Sequence, residues 1–264
     1  MRWIRFEREG QAAFGTVEGR GENAVAVEME GSLFGDHAPT GKRYPLAAVT
    51  LLPPVIPPTF YAAGLNYVGH IKSQAAARGE EAKIPPKPDI GYRAVNALTG
   101  QGADIIIPRD AGEKVHYEAE LVVVIGKQAK HLSEADALSC VFGYTIGNDV
   151  SERDWQAEDR TMWRSKNTDS WKPMGPWIET ELDLEATRTT VRINGETTIE
   201  FPTNDMLFGI ATYISAMTRY LTLQPGDVIW MGTEGTSPGM TDGDVCEIEI
   251  SGIGTLRNTF RKEK

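Results

Sequence analysis

Glu118, Glu120 and Asp149 are the residues whose types and spacing point first to chemistry. The two glutamates open the stretch His116-Tyr117-Glu118-Ala119-Glu120-Leu121-Val122-Val123-Val124-Ile125-Gly126. Its second half is an aliphatic run ending in Gly, which reads as a buried strand. Residues two apart on a strand share a face, so the two carboxylates project together. Side by side at the mouth of an apolar strand they repel each other and lose solvation, which is costly unless a cation lies between them. Taken alone, the pair reads equally well as a solvated edge with two outward acids. Asp149 shifts the balance, because Val141 to Val150 is a second core-strand pattern that carries it at its end. Three hard oxygen ligands from two strands suit Mg²⁺ or Mn²⁺ completed by water, and not zinc, which prefers His or Cys.

The elements that must position these acids can be followed along the chain. Residues 1–52 read as a small N-terminal β domain, with strands at Trp3 to Phe6, Ala12 to Val17, Ala24 to Val27 and Val49 to Leu52. Glu9-Gly10 and Arg20-Gly21 supply turns between them. The piece is too small and polar for chemistry, which makes it a cap or a dimerisation element. Pro53-Pro54-Val55-Ile56-Pro57-Pro58 is a stiff spacer, and residues 59–264 are expected to form the catalytic domain. A strand from Thr59 runs into the Gly64-Leu65-Asn66 turn, presenting His70 at the start of a helix through Ile71 to Arg78. Gly79 to Asp89 is charged and Pro-rich, a loop that reads as a lid or as a plain solvated insertion. Ser133 to Asp136 predicts the start of a short helix. Ser151 to Trp177 is dense in Trp, Arg and Lys with little helical period, and reads as a site wall or as surface cation–π packing. Thr203-Asn204-Asp205 is expected to cap an amphipathic helix to about Leu221. Strands at Val228 to Met231, Val245 to Ile250 and Thr255 to Phe260 complete a mostly β (α+β) chain.

Bulk properties narrow the partners. The 264 residues carry a formal net charge of −10 with no Lys/Arg cluster, which argues against nucleic acid or an anionic membrane surface. An anionic small substrate is still compatible, because a local cation can invert the field of one pocket. No apolar run approaches membrane-spanning length, and Met1 to Glu7 is not an apolar signal segment, so a cytoplasmic protein is expected. Cys140 and Cys246 lack metal-type spacing and read as buried thiols.

Taken in order, several blocks resemble the fumarylacetoacetate hydrolase superfamily in its short prokaryotic form, from about Phe60 to Phe260. They are Gly64-Leu65-Asn66-Tyr67 with His70, the Glu118-Ala119-Glu120 block, and Gly143 to Gln156 with Asp149 as third carboxylate. Lys166-Asn167-Thr168-Asp169 with Met174-Gly175-Pro176-Trp177, and Leu223 to Ile229 with Gly232-Thr233, follow in register. The resemblance implies a β-roll-type catalytic domain behind a small N-terminal domain, a homodimer, and a divalent metal, commonly Mg²⁺ or Mn²⁺. It also implies small oxo-acid substrates with a 2-oxo-carboxylate or 1,3-dicarbonyl unit. Members hydrolyse C–C bonds of acylpyruvates; others isomerise, tautomerise or decarboxylate related acids.

On this reading Glu118, Glu120 and Asp149 hold the metal, which stabilises an enolate, with Lys166 adding positive charge near its oxygen. His70 would activate water if something fixes its tautomer. Gln156 and Thr233 would orient the substrate carboxylate, with Arg153, Tyr92 and Arg93 completing the substrate-binding set. Two departures stand out. Many relatives place a Glu three residues after the histidine, where this chain has Ser73, leaving Glu80 or Glu81 as replacements from the loop. Many have Lys-Pro where this chain has Arg93-Ala94, and an arginine could grip a second carboxylate, favouring dicarboxylic acylpyruvates. The first expectation is a C–C hydrolase of acylpyruvates in aromatic-compound breakdown; the alternative is an isomerase, tautomerase or decarboxylase, to which Ser73 adds weight. A non-catalytic ion- or carboxylate-binding protein would be expected to have lost His70, Lys166 or an acid. A cupin-like barrel would need more histidines than His116 and His131.

Overall fold

The aliphatic run after Glu120 forms the strand Ala119–Ile125, buried along its whole length. It lies between the strand Val141–Asn148 and the short strand Val228–Trp230, antiparallel to both. Val122 and Val124 pack on one side with Trp3, Phe60, Met174, Ile178 and Trp230. Leu121, Val123 and Ile125 pack on the other with Tyr213, Ile214, Ile248 and Leu256. Apolar layers cover both faces, which explains an unbroken aliphatic run in place of an alternation.

The computed structural model describes residues 1–77 and 79–264. These are mostly β. From one edge, the main sheet runs His37–Pro45, Val25–Gly31, Gln11–Glu18, Arg2–Arg8, Lys172–Glu179, Val141–Asn148, Ala119–Ile125, Val228–Trp230, Phe60–Ala63 and Ile90–Tyr92. A second sheet is ordered Glu196–Pro202, Arg188–Ile193, Val245–Ile250, Gly254–Lys262 and Asp104–Ile107. Val115–His116 pairs with Ser151–Glu152 just ahead of the acid-bearing strands.

The N-terminal strands continue the main sheet, since Arg2 and Trp3 pair with Glu179 and Ile178. His37–Pro45 escapes a sequence reading because it contains Pro39 and Pro45; as an edge strand it tolerates them. The spacer is not free of the fold: Pro53, Pro54, Val55 and Pro57 are buried.

Helices differ most from expectation. Val68–Ala77 forms as predicted and carries His70 in its first turn; Arg78, its expected end, lies outside the described residues. The cationic stretch contains a short helix, Arg153–Glu158, which its brevity hides from periodicity. Glu152 caps it by accepting from the Trp155 amide. Ser133 and Asp136 form a hydrogen-bonded turn, not a helix start, and a 3₁₀ turn follows at Ala137–Cys140. The amphipathic helix spans Ile210–Thr218, with Gly209 at its cap. Thr203 is instead turned inward, its hydroxyl bonded to Thr189. Both cysteines are free and buried. No helix among the described residues is long and apolar enough to cross a membrane.

Candidate active site

Glu118, Glu120 and Asp149 come together as read from the sequence: each offers a carboxylate oxygen, and these atoms lie within 4.8 Å of one another. The backbone locks them in register. The Asp149 amide donates to the Glu118 carbonyl (2.9 Å), and the Glu118 amide donates to Oδ1 of Asn148 (3.0 Å). Glu120 accepts at Oε2 from the Gly232 amide (2.9 Å). Gly232 has φ 87°, in the left-handed region that suits glycine, and an added Cβ would stand 3.1 Å from the Asn66 side chain. Asn66 holds this turn through its amide, bonded to the Met231 and Phe208 carbonyls.

Cations gather around two of the acids. Lys166 Nζ lies 2.6 Å from Glu118 Oε2 and 2.7 Å from Asp149 Oδ2. Arg153 reaches Glu118 Oε1 at 2.7 Å. Arg93 grips Asp149 with Nε (3.0 Å) and Nη2 (2.8 Å). Lys172, which the sequence reading passed over, meets Asp149 Oδ1 at 3.0 Å from a position with no exposed surface. Its only signal was a lysine heading an otherwise apolar strand, directly after Trp171.

Burial alone would raise all three carboxyls. At Glu118 the nearby Lys166 and Arg153 outweigh it and hold the acid below its usual range. At Asp149, Arg93, Lys166 and Lys172 do so more strongly. Glu120 goes the other way: burial, then the charges of Asp149 and Glu118, push it up to about 8. Burial lowers Lys172 to about 8, against the pull of Asp149. An uncompensated carboxylate beside two ionised ones is what a divalent ion would relieve, and an all-oxygen donor set suits a hard cation. The residues present fit such an ion.

His70 lies at the opposite wall. Its Nδ1 is 2.6 Å from the Gly235 carbonyl oxygen, so that nitrogen carries the proton and donates. Nε2 is then the bare nitrogen, 3.9 Å from Glu118 Oε1 and 3.4 Å from Gln74 Nε2. A backbone carbonyl thus fixes the tautomer. Glu80 and Glu81 border a neighbouring cavity with Ile71, Gln74 and Lys83 and do not line the acid cleft.

The cleft itself is a cavity of about 330 Å³. Its lining includes His70, Arg93, Gln156, Lys166, Thr233 and the three acids. Arg153 stands behind Glu118, tied also to Gln156 Oε1 (2.9 Å) and His116 Nδ1 (3.3 Å). Tyr92 is not brought to the site. It is largely exposed, packs on Tyr61 and lines a separate cavity, because adjacent strand residues point to opposite faces and Arg93 faces the acids. Arg93 also differs from its expected role, since its fork is spent on Asp149 and not held open for a second carboxylate.

Comparison with known proteins bears on this geometry. A family model described as fumarylacetoacetate (FAA) hydrolase, C-terminal, matches residues 59–261. The chain belongs to the fumarylacetoacetate hydrolase family. A second model, Rv2993c-like N-terminal, matches residues 1–54. The chain is 40% identical over 205 residues to the 4-hydroxyphenylacetate degradation bifunctional isomerase/decarboxylase of Salmonella dublin, covering 76% of this chain and 46% of that longer protein. The crystal structure of 5-carboxymethyl-2-hydroxymuconate delta-isomerase from Mycobacterium smegmatis superposes with a TM-score of 0.89 at 37% identity, covering all of both chains. That of a maleylpyruvate hydrolase from Sphingobium sp. SYK-6 superposes with a TM-score of 0.79 at 25% identity, again over both whole chains. The family is one of enzymes, its members are typically metal-dependent, and the buried acidic triad of this chain can hold a metal ion.

Proposed function

We propose that this chain is an Mg²⁺- or Mn²⁺-dependent enzyme acting on small 2-oxo acids through their enolates, as an isomerase, tautomerase or decarboxylase. The observation that carries this reading is the partner of His70. A carbonyl at Nδ1 fixes the tautomer and leaves Nε2 free, but it lends the ring less basicity than a carboxylate partner would. Such a histidine suits moving a proton between carbon and oxygen of an enol better than it suits generating hydroxide.

Glu118, Glu120 and Asp149 would hold the ion, which when bound supplies Lewis-acid stabilisation of the developing enolate charge. Lys166, on the cleft lining, places an ammonium beside the same charge. Thr233 and Gln156 offer neutral polar groups to the substrate carboxylate from the lining. His70 Nε2 takes or returns the proton at the carbon adjoining the enol. The 330 Å³ cavity limits substrates to small acids. Hydrolysis of an acylpyruvate, the first expectation from the sequence, is the second reading. It is favoured by the bare Nε2, which could orient a water, and by the likeness to the maleylpyruvate hydrolase.

The test follows the enol absorbance of a panel of 2-oxo acids and acylpyruvates with Mg²⁺, with Mn²⁺ and with EDTA, identifying products in the same tubes. Metal-dependent enol–keto interconversion, double-bond migration or carbon dioxide release is expected. Release of pyruvate and a free acid would replace this reading with the hydrolase. Turnover undiminished by EDTA would overturn both.

A further inference from the structure

Lys172 stands where a strand entering the core should be apolar. It has no exposed surface, and it does not line the cleft. Its ammonium donates to the carbonyls of Val150 (2.8 Å) and Trp171 (2.9 Å) and meets Asp149 Oδ1 at 3.0 Å. All three protons are therefore placed. The group cannot rotate away or be exchanged for water, unlike Lys166, which faces the cavity.

The effect on Asp149 is specific. Oδ1 is shared between Lys172 and Arg93 Nε, while Oδ2 faces Arg93 Nη2 and Lys166. The oxygen on the Lys172 side has its acceptor positions filled from behind, leaving Oδ2 as the ligand atom turned toward Lys166 and Glu118. Arg93, Arg153, Lys166 and Lys172 all lie within ion-pair distance of Glu118 or Asp149, so the cleft has one more fixed cation than it has carboxylates. A divalent ion would enter a centre whose negative charge is already cancelled, and the excess positive charge is answered only when an anion follows it.

We infer that Lys172 is a positioning residue that makes the divalent ion and an anionic 2-oxo acid bind as a coupled pair, each weak alone and tight together. This rests on the metal-centre reading above and adds to it a binding order imposed by a lysine behind the ligands. Coupling between two ligands is reciprocal, so the ion tightens the anion by the same factor as the anion tightens the ion. A small chelating dianion such as oxalate has the charge and bite of the enolate and serves as the probe.

The experiment measures Mn²⁺ affinity from the free-ion electron paramagnetic resonance signal, with and without oxalate, correcting for the Mn²⁺–oxalate complex in solution. Wild type, K172M and K172Q are compared, with circular dichroism and thermal unfolding to verify folding. Oxalate is expected to tighten Mn²⁺ binding to wild type by on the order of tenfold or more. In K172M and K172Q, Mn²⁺ alone should bind more tightly by on the order of tenfold and the gain from oxalate should shrink. K172Q keeps a donor for the Val150 carbonyl without the charge, which separates charge from hydrogen bonding; a purely structural lysine would alter unfolding but neither affinity. Absence of an oxalate gain in wild type overturns the inference without recourse to any variant. Unchanged or weaker Mn²⁺ binding in the folded variants does the same while leaving the metal centre standing. No Mn²⁺ binding by wild type, with or without oxalate, would overturn the centre itself.

Discussion

On the Asp149 side of the cleft, guanidinium and ammonium groups from three separate segments converge on one carboxylate. On the Glu120 side, the contact is a backbone amide from a glycine turn, and the neighbouring His70 is held by a carbonyl. The same residue class therefore sits in two opposite environments: Asp149 is held well below its ordinary range, and Glu120 is pushed up to about 8. The difference assigns separate tasks. The Asp149 side fixes charge into the fold, so its groups resist change in the absence of any ligand. The Glu120 side leaves an acid and a base unsatisfied, and it waits for ion and substrate to complete it.

Asp149→Asn should break that contrast most severely. It leaves Arg93, Lys166 and Lys172 around a neutral amide, and removing one partner of a buried pair costs roughly 3–5 kcal/mol. A large fall in thermal midpoint together with loss of Mn²⁺ binding is expected from calorimetry and metal titration. A midpoint close to wild type would show that the cations are not held by this acid. His70→Asn tests the opposite wall. Turnover should fall by about 10²–10⁴-fold, the usual worth of a positioned general acid or base, with Mn²⁺ affinity retained. An unaffected rate would remove the histidine from the reaction and favour unassisted decarboxylation on the ion alone.

Glu120→Gln sharpens the comparison because its sign is reversed. A carboxyl raised from 4.5 to about 8 in the folded chain binds a proton that the unfolded chain has released. Its contribution is therefore fully present below about pH 4.5 and is lost as pH rises toward 8. With chelator present, Glu120→Gln should match wild type at pH 5 and exceed it in thermal midpoint at pH 8.5, while failing to bind Mn²⁺. Equal midpoints at both pH values would mean that Glu120 is not destabilised by its neighbours.

Much of this arrangement was legible in the sequence, for reasons that differ between elements. Ala119–Ile125 could be read because a strand covered on both faces must be aliphatic throughout, and two acids at its head are then conspicuous. The acids, His70 and Lys166 could be found because residue type, spacing and block order all agreed. The lysine behind Asp149 could not, since nothing local distinguishes Lys172 from the surface cations of the same stretch; only the packing of Trp171 and the return of its strand into the main sheet bury it. Arg93 was found but given the wrong partner, because a fork suited to a substrate carboxylate suits Asp149 equally. The helix Arg153–Glu158 is too short for its period to register, and its capping by Glu152 depends on a side chain more often read as solvated.

Tyr92 supplies the smallest expected effect and a direct test of how the strand is set. It precedes Arg93 on Ile90–Tyr92 and its neighbourhood, yet it is 57% exposed and stacks on Tyr61 with ring centroids 5.4 Å apart. If the alternation of the strand places Arg93 inward, Tyr92 cannot also touch substrate. Tyr92→Ala should leave KM and kcat within about threefold of wild type and shift stability by no more than about 1 kcal/mol, the loss of one partly exposed aromatic contact. Arg93→Lys, made in parallel, loses the two-pronged grip on Asp149 and should weaken Mn²⁺ retention where Tyr92→Ala does not. A raised KM in Tyr92→Ala with unchanged Mn²⁺ affinity would mean that the cavity on the far side of the strand communicates with the cleft. Asp89, which lines both cavities, would then be the residue through which it does so.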